Sequence, residues 1–152
     1  MPSFTRLVAL LLFAGGAFIA ATQFQQLGPA PRVNQSANLW VALVGAWVGW
    51  AFVGPRIDRS VMRSIFTVFQ GGLLTVFLSL ALFGVHRIFQ DGFRMRHASL
   101  GDAIQGFLAF IVESLQSMLD LPFLTLLAVM WLPGSVLLVI VYRAAEARRL
   151  RT

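Results

Sequence analysis

The chain has 152 residues, of which 58% are hydrophobic and only 12% are charged, and its formal net charge is +6. Together with a mean hydropathy of +0.78, this composition excludes a small water-soluble domain, which needs more polar side chains to cover its surface. We therefore predict an integral membrane protein, because the length accommodates four or five spans of about 20 residues and little else.

The polar residues exclude several kinds of site. Without cysteine, the chain has no disulfides, thiolate metal sites or thiol redox chemistry. His86 and His97 do not show a recurrent metal-ligand spacing, and no nucleophile with its base, acid–base pair or phosphate-binding loop is recognisable. We therefore predict no catalysis, no metal and no cofactor. All 12 basic residues are arginines spread over loops and tail, which fits anionic lipid headgroups better than nucleic acid.

Four apolar segments predict transmembrane helices, at residues 5–22, 39–54, 64–86 and 122–142. The first has Arg6 at its start, and the apolar run that follows has the character of a signal-peptide core. Phe18 and Ile19, however, stand where cleavage requires small residues, so we expect this span to be retained. Within the last span, Pro133 removes a backbone donor and predicts a kink.

Two of these spans carry small residues at which another helix can approach closely. The residues are Gly15, Gly16 and Ala20 in the first span, and Gly45 and Gly49, in a GxxxG arrangement, in the second. The approaching helix can belong to this chain or to another protein. The two faces therefore predict either packing within the bundle or docking of a foreign helix.

The segment at residues 102–120 is long enough to cross a bilayer, yet it carries Glu113 near its middle and Asp120 at its end. As a helix it has a polar side and an apolar side. Its large apolar residues favour insertion by about 0.3 to 0.6 kcal/mol each, which Glu113 and the other polar residues largely offset. Hydropathy thus leaves two topologies open: four spans with an amphipathic interfacial helix, or five spans.

The distribution of arginine narrows this choice. With four spans and a cytoplasmic N-terminus, the cytoplasmic arginines are Arg6, Arg56, Arg59, Arg63, Arg143, Arg148, Arg149 and Arg151, and the outer ones are Arg32, Arg87, Arg94 and Arg96. With five spans, most of the arginines would lie outside if the N-terminus is cytoplasmic, and most would still be cytoplasmic if the N-terminus is outside. Because Arg6 abuts the first span and Arg32 does not abut its other end, we favour four spans with both termini cytoplasmic.

This topology brings arginines and acids together at the outer face. Arg87, Arg94 and Arg96 are candidate contacts for anions or lipid headgroups, since a guanidinium binds oxyanions through forked donors. Acids at membrane depth generally have partners. We therefore expect Asp102 or Glu113 to meet one of these arginines.

Several short motifs follow one another in a set order. They are Val53-Gly54-Pro55-Arg56 after a Gly- and Trp-rich second span, Arg94-Met95-Arg96, Asp102-Ala103, Glu113, Asp120 followed by a proline, and an Arg-rich tail. Over most of the chain this order resembles the TrgA family of bacterial membrane proteins, which are associated with tellurite resistance. His97 and Gly101 depart from the family pattern, which has an aromatic residue and a proline there.

The resemblance implies a protein of the cytoplasmic membrane of a Gram-negative bacterium with a role in oxyanion tolerance, and it implies no catalytic residues. Two other functions are compatible with the residues. The small-residue faces suit an accessory or assembly subunit of a larger membrane complex, respiratory or photosynthetic. Gln70 and Pro133, inside apolar spans, are hints of a small oligomeric transporter.

Overall fold

The computed structural model of the chain describes residues 3–27, 33–93 and 100–149, and it is helical through nearly all of them. The elements are α1 (Ser3–Gln26), α2 (Gln35–Val48), a π-helical turn (Gly49–Val53), α3 (Gly54–Arg56), α4 (Val61–Phe93), α5 (Leu100–Met118) and α6 (Leu121–Arg149). Four stretches are long and apolar enough to cross a membrane: Phe4–Gln26, Gln35–Arg56, Val61–Phe89 and Leu121–Ala147. The predicted all-α fold with four apolar spans is confirmed, and the chain is a multi-pass membrane protein.

The four spans form a closed ring. α1 contacts α2 and α6, and α4 contacts the same two helices, so each span has two neighbours as in an antiparallel four-helix bundle. Arg6 lies beside Gly54, and Arg59 lies beside Glu146. Ser3 and Arg149 therefore lie at the same end of the bundle, which we call the terminal end. The opposite end, where α5 lies, we call the α5 end.

α1 and α2 touch through their backbones at two glycines. A Cβ atom added to Gly45 would lie 2.6 Å from the carbonyl oxygen of Phe13, and one added to Gly49 would overlap the carbonyl oxygen of Ala9. Any larger residue would push the helices apart. Within lipid, helices gain little from hydrophobic burial against one another, so close approach of this kind supplies much of their attraction.

A cluster of buried apolar side chains surrounds this contact. It consists of Ala9, Phe13, Val48, Val53, Ile57, Val68 and Leu138. These side chains come from α1, the α2–α3 segment, α4 and α6, so the cluster joins all four spans. We call this part of the bundle, nearer the terminal end, the closed half.

The second span continues past its predicted end at residue 54, through Pro55 to Arg56. Pro55 cannot donate a hydrogen bond, and its ring would press on the carbonyl one turn earlier. The wider π-helical turn directly before it, in which the N–H of Gly54 donates to the carbonyl of Gly49, makes room for the ring. The helix then ends after Arg56, where Ile57 is extended.

The other spans also run further than the sequence suggests. α4 has 33 residues, or about 50 Å, whereas the hydrocarbon layer is about 30 Å thick. The helix is therefore longer than the hydrocarbon layer is thick. α6 continues through Pro133, and the hydroxyl of Ser135 donates to the carbonyl of Leu132 at 2.7 Å.

α5 packs mainly on the last turns of α4, with Phe107 against Gly84. Together with the two residues that follow it, α5 presents three faces. Towards the bundle lie Ala103, Phe107, Phe110, Ile111, Ser114 and Met118; the exposed apolar face has Ile104, Leu108, Val112, Leu115 and Leu119; the exposed polar face has Asp102, Gln105, Glu113, Gln116, Ser117 and Asp120. A helix at a membrane surface meets protein, hydrocarbon and water on three sides, which this pattern fits. A spanning α5 would instead turn Glu113 towards lipid.

Candidate functional site

A large cavity opens among the helices on the α5 side of the closed half. Its volume is about 810 Å³, which is within the usual range for sites that bind small molecules. α1, α2, α4, α5 and α6 all contribute to its walls. We call this part of the bundle the open half.

Small residues of α1 account for much of the space. Gly15, Gly16 and Ala20, three of the predicted packing residues, line the cavity together with Ala17 and Ala21. A Cβ added to Gly15 would meet no atom within 4 Å, and one added to Gly16 would meet only the flexible end of Met130, at 2.9 Å. On this side of α1 the small residues leave a gap that no neighbouring backbone fills.

Aromatic and aliphatic side chains form the rest of the apolar wall. They include Val41 of α2, Leu80 and Phe83 of α4, Phe110 of α5, and Leu127 and Trp131 of α6. Trp131 is fixed by an edge-to-face contact with Phe69, with ring centroids 5.7 Å apart, and by close packing on Gly72. The wall therefore suits a hydrocarbon chain or another apolar group.

Two hydroxyl groups of α4 interrupt this apolar lining, one turn apart. Thr75 donates to the carbonyl of Gly71 at 2.9 Å and is therefore satisfied within its own helix. Ser79 is 7% exposed, and its Oγ is buried without a hydrogen bond to any group in the described part of the chain. A buried hydroxyl without a partner costs about 1–3 kcal/mol. Ser79 is thus a polar group beside the cavity that a ligand oxygen would satisfy.

The cavity wall becomes polar towards the α5 end and includes an arginine there. Gln25, His86 and Arg87 line it there. The Arg87 guanidinium lies 5.4 Å from the ring centroid of Phe110, so α4 and α5 meet through a cation–π contact at this end of the cavity. Because Arg87 follows the apolar run of α4 that ends at Val85, its long side chain can carry the charge towards lipid headgroups.

A hydrogen-bond network ties α1 to α2 at the same end. The side-chain amide of Asn38, which is fully buried, donates to Thr22 at 3.0 Å and accepts from Gln25 at 2.9 Å. Gln25 in turn accepts from the backbone N–H of Asn34 at 2.7 Å, and Asn34 caps α2 by accepting from Ala37. This network was not predicted from the sequence. The indication of it in the sequence is the set of polar residues at the end of α1 and at the start of α2, which face each other in the structure.

A second polar cluster lies at the terminal end. Arg59 makes a two-pronged ion pair with Glu146, with N–O distances of 2.7 and 2.8 Å, and Arg143 donates to the carbonyl of Arg59 at 2.8 Å. The hydrogen bonds that Arg59 donates to Glu146, together with the negative charge of this carboxylate, raise the pKa of Arg59 above its ordinary value. These contacts hold the loop before α4 against the end of α6, away from the cavity.

The structure places the remaining predicted residues as follows. Arg94 and Arg96 lie outside the described residues, so of the three candidate arginines only Arg87 is placed. Asp102 and Glu113 are exposed on the polar face of α5, and their pairing with an arginine stays a prediction. Gly45 and Gly49 lie in the contact with α1, away from the cavity.

The cavity combines an apolar interior, one unsatisfied hydroxyl and a cationic end, which is an arrangement for binding an amphipathic molecule. Within residues 3–27, 33–93 and 100–149, no three histidine or acidic side chains lie together as a metal site requires. Comparison of the chain with protein-family models, with curated proteins and with solved structures finds no significant match.

Proposed function

We propose that the chain is a non-catalytic protein of a bacterial cytoplasmic membrane that binds an amphipathic molecule. By this binding it supports membrane homeostasis, including tolerance to oxyanions such as tellurite. The observation that carries this proposal is the intramembrane cavity with Arg87 at its end. The motif order shared with the TrgA family supplies the physiological setting. A free oxyanion would find only one end of this cavity complementary, whereas an amphiphile would match both its apolar and its charged parts.

Tolerance is tested by complementation of a strain that lacks the gene. We expect the wild-type chain to restore growth on tellurite, and the variant Arg94→Gln/Arg96→Gln to restore it less well at equal expression. The matched control is Arg148→Gln/Arg149→Gln, which removes the same charge from the side that the proposed topology places in the cytoplasm. Equal tolerance in all three strains would exclude a role for the outer arginines, and no effect of deletion would exclude the tolerance role itself.

The proposed orientation places the α5 end outside and both termini in the cytoplasm. The chain has no cysteine, so single cysteines report cleanly on sidedness. Ser117→Cys, on the polar face of α5, should react with an impermeant thiol reagent in intact cells. Ser60→Cys, at the terminal end, should react only after the membrane is opened. Labelling of both from the same side would contradict four spans.

One observation favours a second function, that of a subunit in a larger membrane assembly. Gln70 is exposed well inside the span Val61–Phe89, does not line the cavity, and makes no hydrogen bond with any described residue. A carboxamide facing hydrocarbon gains a partner by binding another helix. Gly45 and Gly49 do not supply this surface, because α1 covers them.

This second function is tested by extraction in a mild detergent. A subunit should co-purify with a defined partner in wild type and lose it in Gln70→Leu, whereas Gln23→Leu, an exposed glutamine near the end of α1, should keep it. If the wild-type chain and the Gln23→Leu variant purify without any partner, the subunit function is excluded and the first function remains.

A further inference from the structure

The cavity of the open half has features that specify one class of amphiphile. We propose that it holds an anionic glycerophospholipid, with the phosphate at Arg87, a glycerol-ester carbonyl accepting a hydrogen bond from Ser79, and an acyl chain against the apolar wall. The proposal rests on the function given above and names the molecule bound.

The order of chemical groups along α4 supports this choice. Arg87 lies two turns, about 12 Å along the axis, beyond Ser79, and the Arg side chain leans back towards the N-terminal end of its helix, which shortens the gap. From the α5 end inwards the wall thus offers a cation, then a hydroxyl donor, then hydrocarbon. A glycerophospholipid presents the complementary groups in that order: a phosphate, ester carbonyls, then an acyl chain.

Other amphiphiles match the wall less well. A prenylquinone has carbonyl oxygens for Ser79 but no anionic group to accept from the Arg87 guanidinium. A fatty acid has a single polar group, so it would satisfy Arg87 or Ser79 but not both. The location also favours a phospholipid, because Arg87 follows the apolar run of α4 that ends at Val85, and phosphate groups are concentrated beyond the ends of such runs.

Burial of the Ser79 hydroxyl is the observation that separates a built site from ordinary lipid contact. Lipids that surround a membrane protein touch its outer surface, but Ser79 is 93% buried, since only 7% of it is exposed, and it faces the inside of the ring of spans. A lipid that reaches it has an acyl chain inside the bundle. Such a lipid should exchange slowly and remain bound during purification.

The test is to purify the full chain in a mild detergent and to identify and count the lipids that remain bound by mass spectrometry. We expect about one phosphatidylglycerol or other anionic phospholipid per chain. Affinity is then measured with a phosphatidylglycerol that carries a fluorescent acyl chain. Ser79→Ala should weaken binding about fivefold through loss of one hydrogen bond, and Arg87→Gln at least about tenfold through loss of a charged one.

The matched control is Ser135→Ala. Ser135 is also a buried serine within a span, but its hydroxyl bonds to Leu132 and it does not line the cavity, so binding should not change. Ala20→Phe fills part of the cavity and should abolish retention of the lipid while the thermal midpoint is kept or raised. Ala20→Phe adds packing rather than removing it. It therefore tests the site even if Ser79→Ala or Arg87→Gln fails to fold.

Three results would overturn the proposal. Retention of a prenylquinone or a fatty acid in place of a phospholipid would show that the ligand class is wrong. Equal retention by wild type and a folded Ala20→Phe would show surface lipid only. A folded wild-type chain that retains no lipid would show an empty cavity. If lipid is retained but deletion leaves tellurite tolerance unchanged, the lipid site stands and the tolerance role fails.

Discussion

The two halves of the bundle are built from the same four spans, yet glycine has opposite effects in them. In the closed half, Gly49 lies against the backbone of α1 and brings two helices together. In the open half, Gly15 faces space in which a Cβ would meet no atom within 4 Å. Both are glycines in apolar helices. A small residue therefore permits close approach, but the neighbouring helix decides whether contact or a cavity results.

The physical origin of the difference is the kind of atom opposite each glycine. Gly45 and Gly49 face carbonyl groups of α1, which are fixed by the helix and pack at a constant distance. Gly16 faces the flexible end of Met130, and a Cβ on Gly15 would meet no atom within 4 Å. Side chains that do not span the gap leave it open to a ligand.

Alanine substitution at the two glycines gives the largest expected contrast. Gly49→Ala should destabilise the protein by about 2 kcal/mol, because its Cβ overlaps the carbonyl of Ala9 and the helices must separate. Gly15→Ala should stabilise by up to about 1 kcal/mol, because alanine is the better helix former and has room. Unfolding in mixed micelles with increasing sodium dodecyl sulfate measures both. A loss of stability in both variants would remove the distinction between the halves.

Two valines on α4 allow the packing of the closed half and the open half to be compared directly. Val68 is fully buried in the closed half, and Val76, two turns later on the same helix, lines the cavity. Val68→Ala should cost about 1–2 kcal/mol, since it leaves a void in close packing. Val76→Ala should cost less than about 0.5 kcal/mol, because it only enlarges an existing space. The same unfolding assay compares them, and equal losses would indicate that the open half is as tightly packed as the closed one.

The polar network at the α5 end should have a smaller effect. Asn38→Leu leaves the Gln25 amide without its acceptor and removes the link to Thr22. We expect a loss of about 1 kcal/mol, because hydrogen bonds between membrane helices contribute modestly. Gln23→Leu, on the exposed side of α1, should be neutral. If Asn38→Leu were also neutral, the open half would be held only by its contact with the closed half.

The sequence was sufficient for the large features of the fold. The four long apolar spans follow from hydropathy, and the two-faced character of α5 follows from its acids Asp102, Glu113 and Asp120. Hydropathy and charge belong to each residue whatever its neighbours are. The termini of the spans were less predictable. Gln25 and Asn38 looked like loop residues because their polarity is satisfied only when α1 and α2 lie side by side, so the helices extend further than the apolar segments.

The candidate site depends on distances between helices, which a single sequence does not contain. Gly15 and Ala20 were recognised as small, but nothing in the sequence distinguishes a small residue beside a cavity from one beside a backbone. Ser79 was not singled out, because serine in a helix usually bonds to its own preceding turn. Arg87 was recognised from its charge alone, because a charge is evident from the sequence without knowledge of the neighbouring residues.

The ion pair at the terminal end should give the smallest effect. Arg59 and Glu146 join a loop to the end of α6, with side chains 64% and 30% exposed, so solvent screens most of their attraction. The pKa of Arg59 is raised further above an already high value, so its charge persists across the physiological range, and salt rather than pH should modulate the contact.

Glu146→Gln should therefore reduce stability slightly at low ionic strength and not at all in high salt, because the bond from Arg143 to the Arg59 carbonyl still holds the loop. Asp58→Asn, which breaks the longer Arg63–Asp58 contact of 3.3 Å, is the control and should have no measurable effect. The unfolding assay at two salt concentrations measures both. A loss of stability that is independent of salt and as large as that of Gly49→Ala would contradict this. It would mean that the ion pair at the terminal end, rather than the glycine contact, stabilises the closed half.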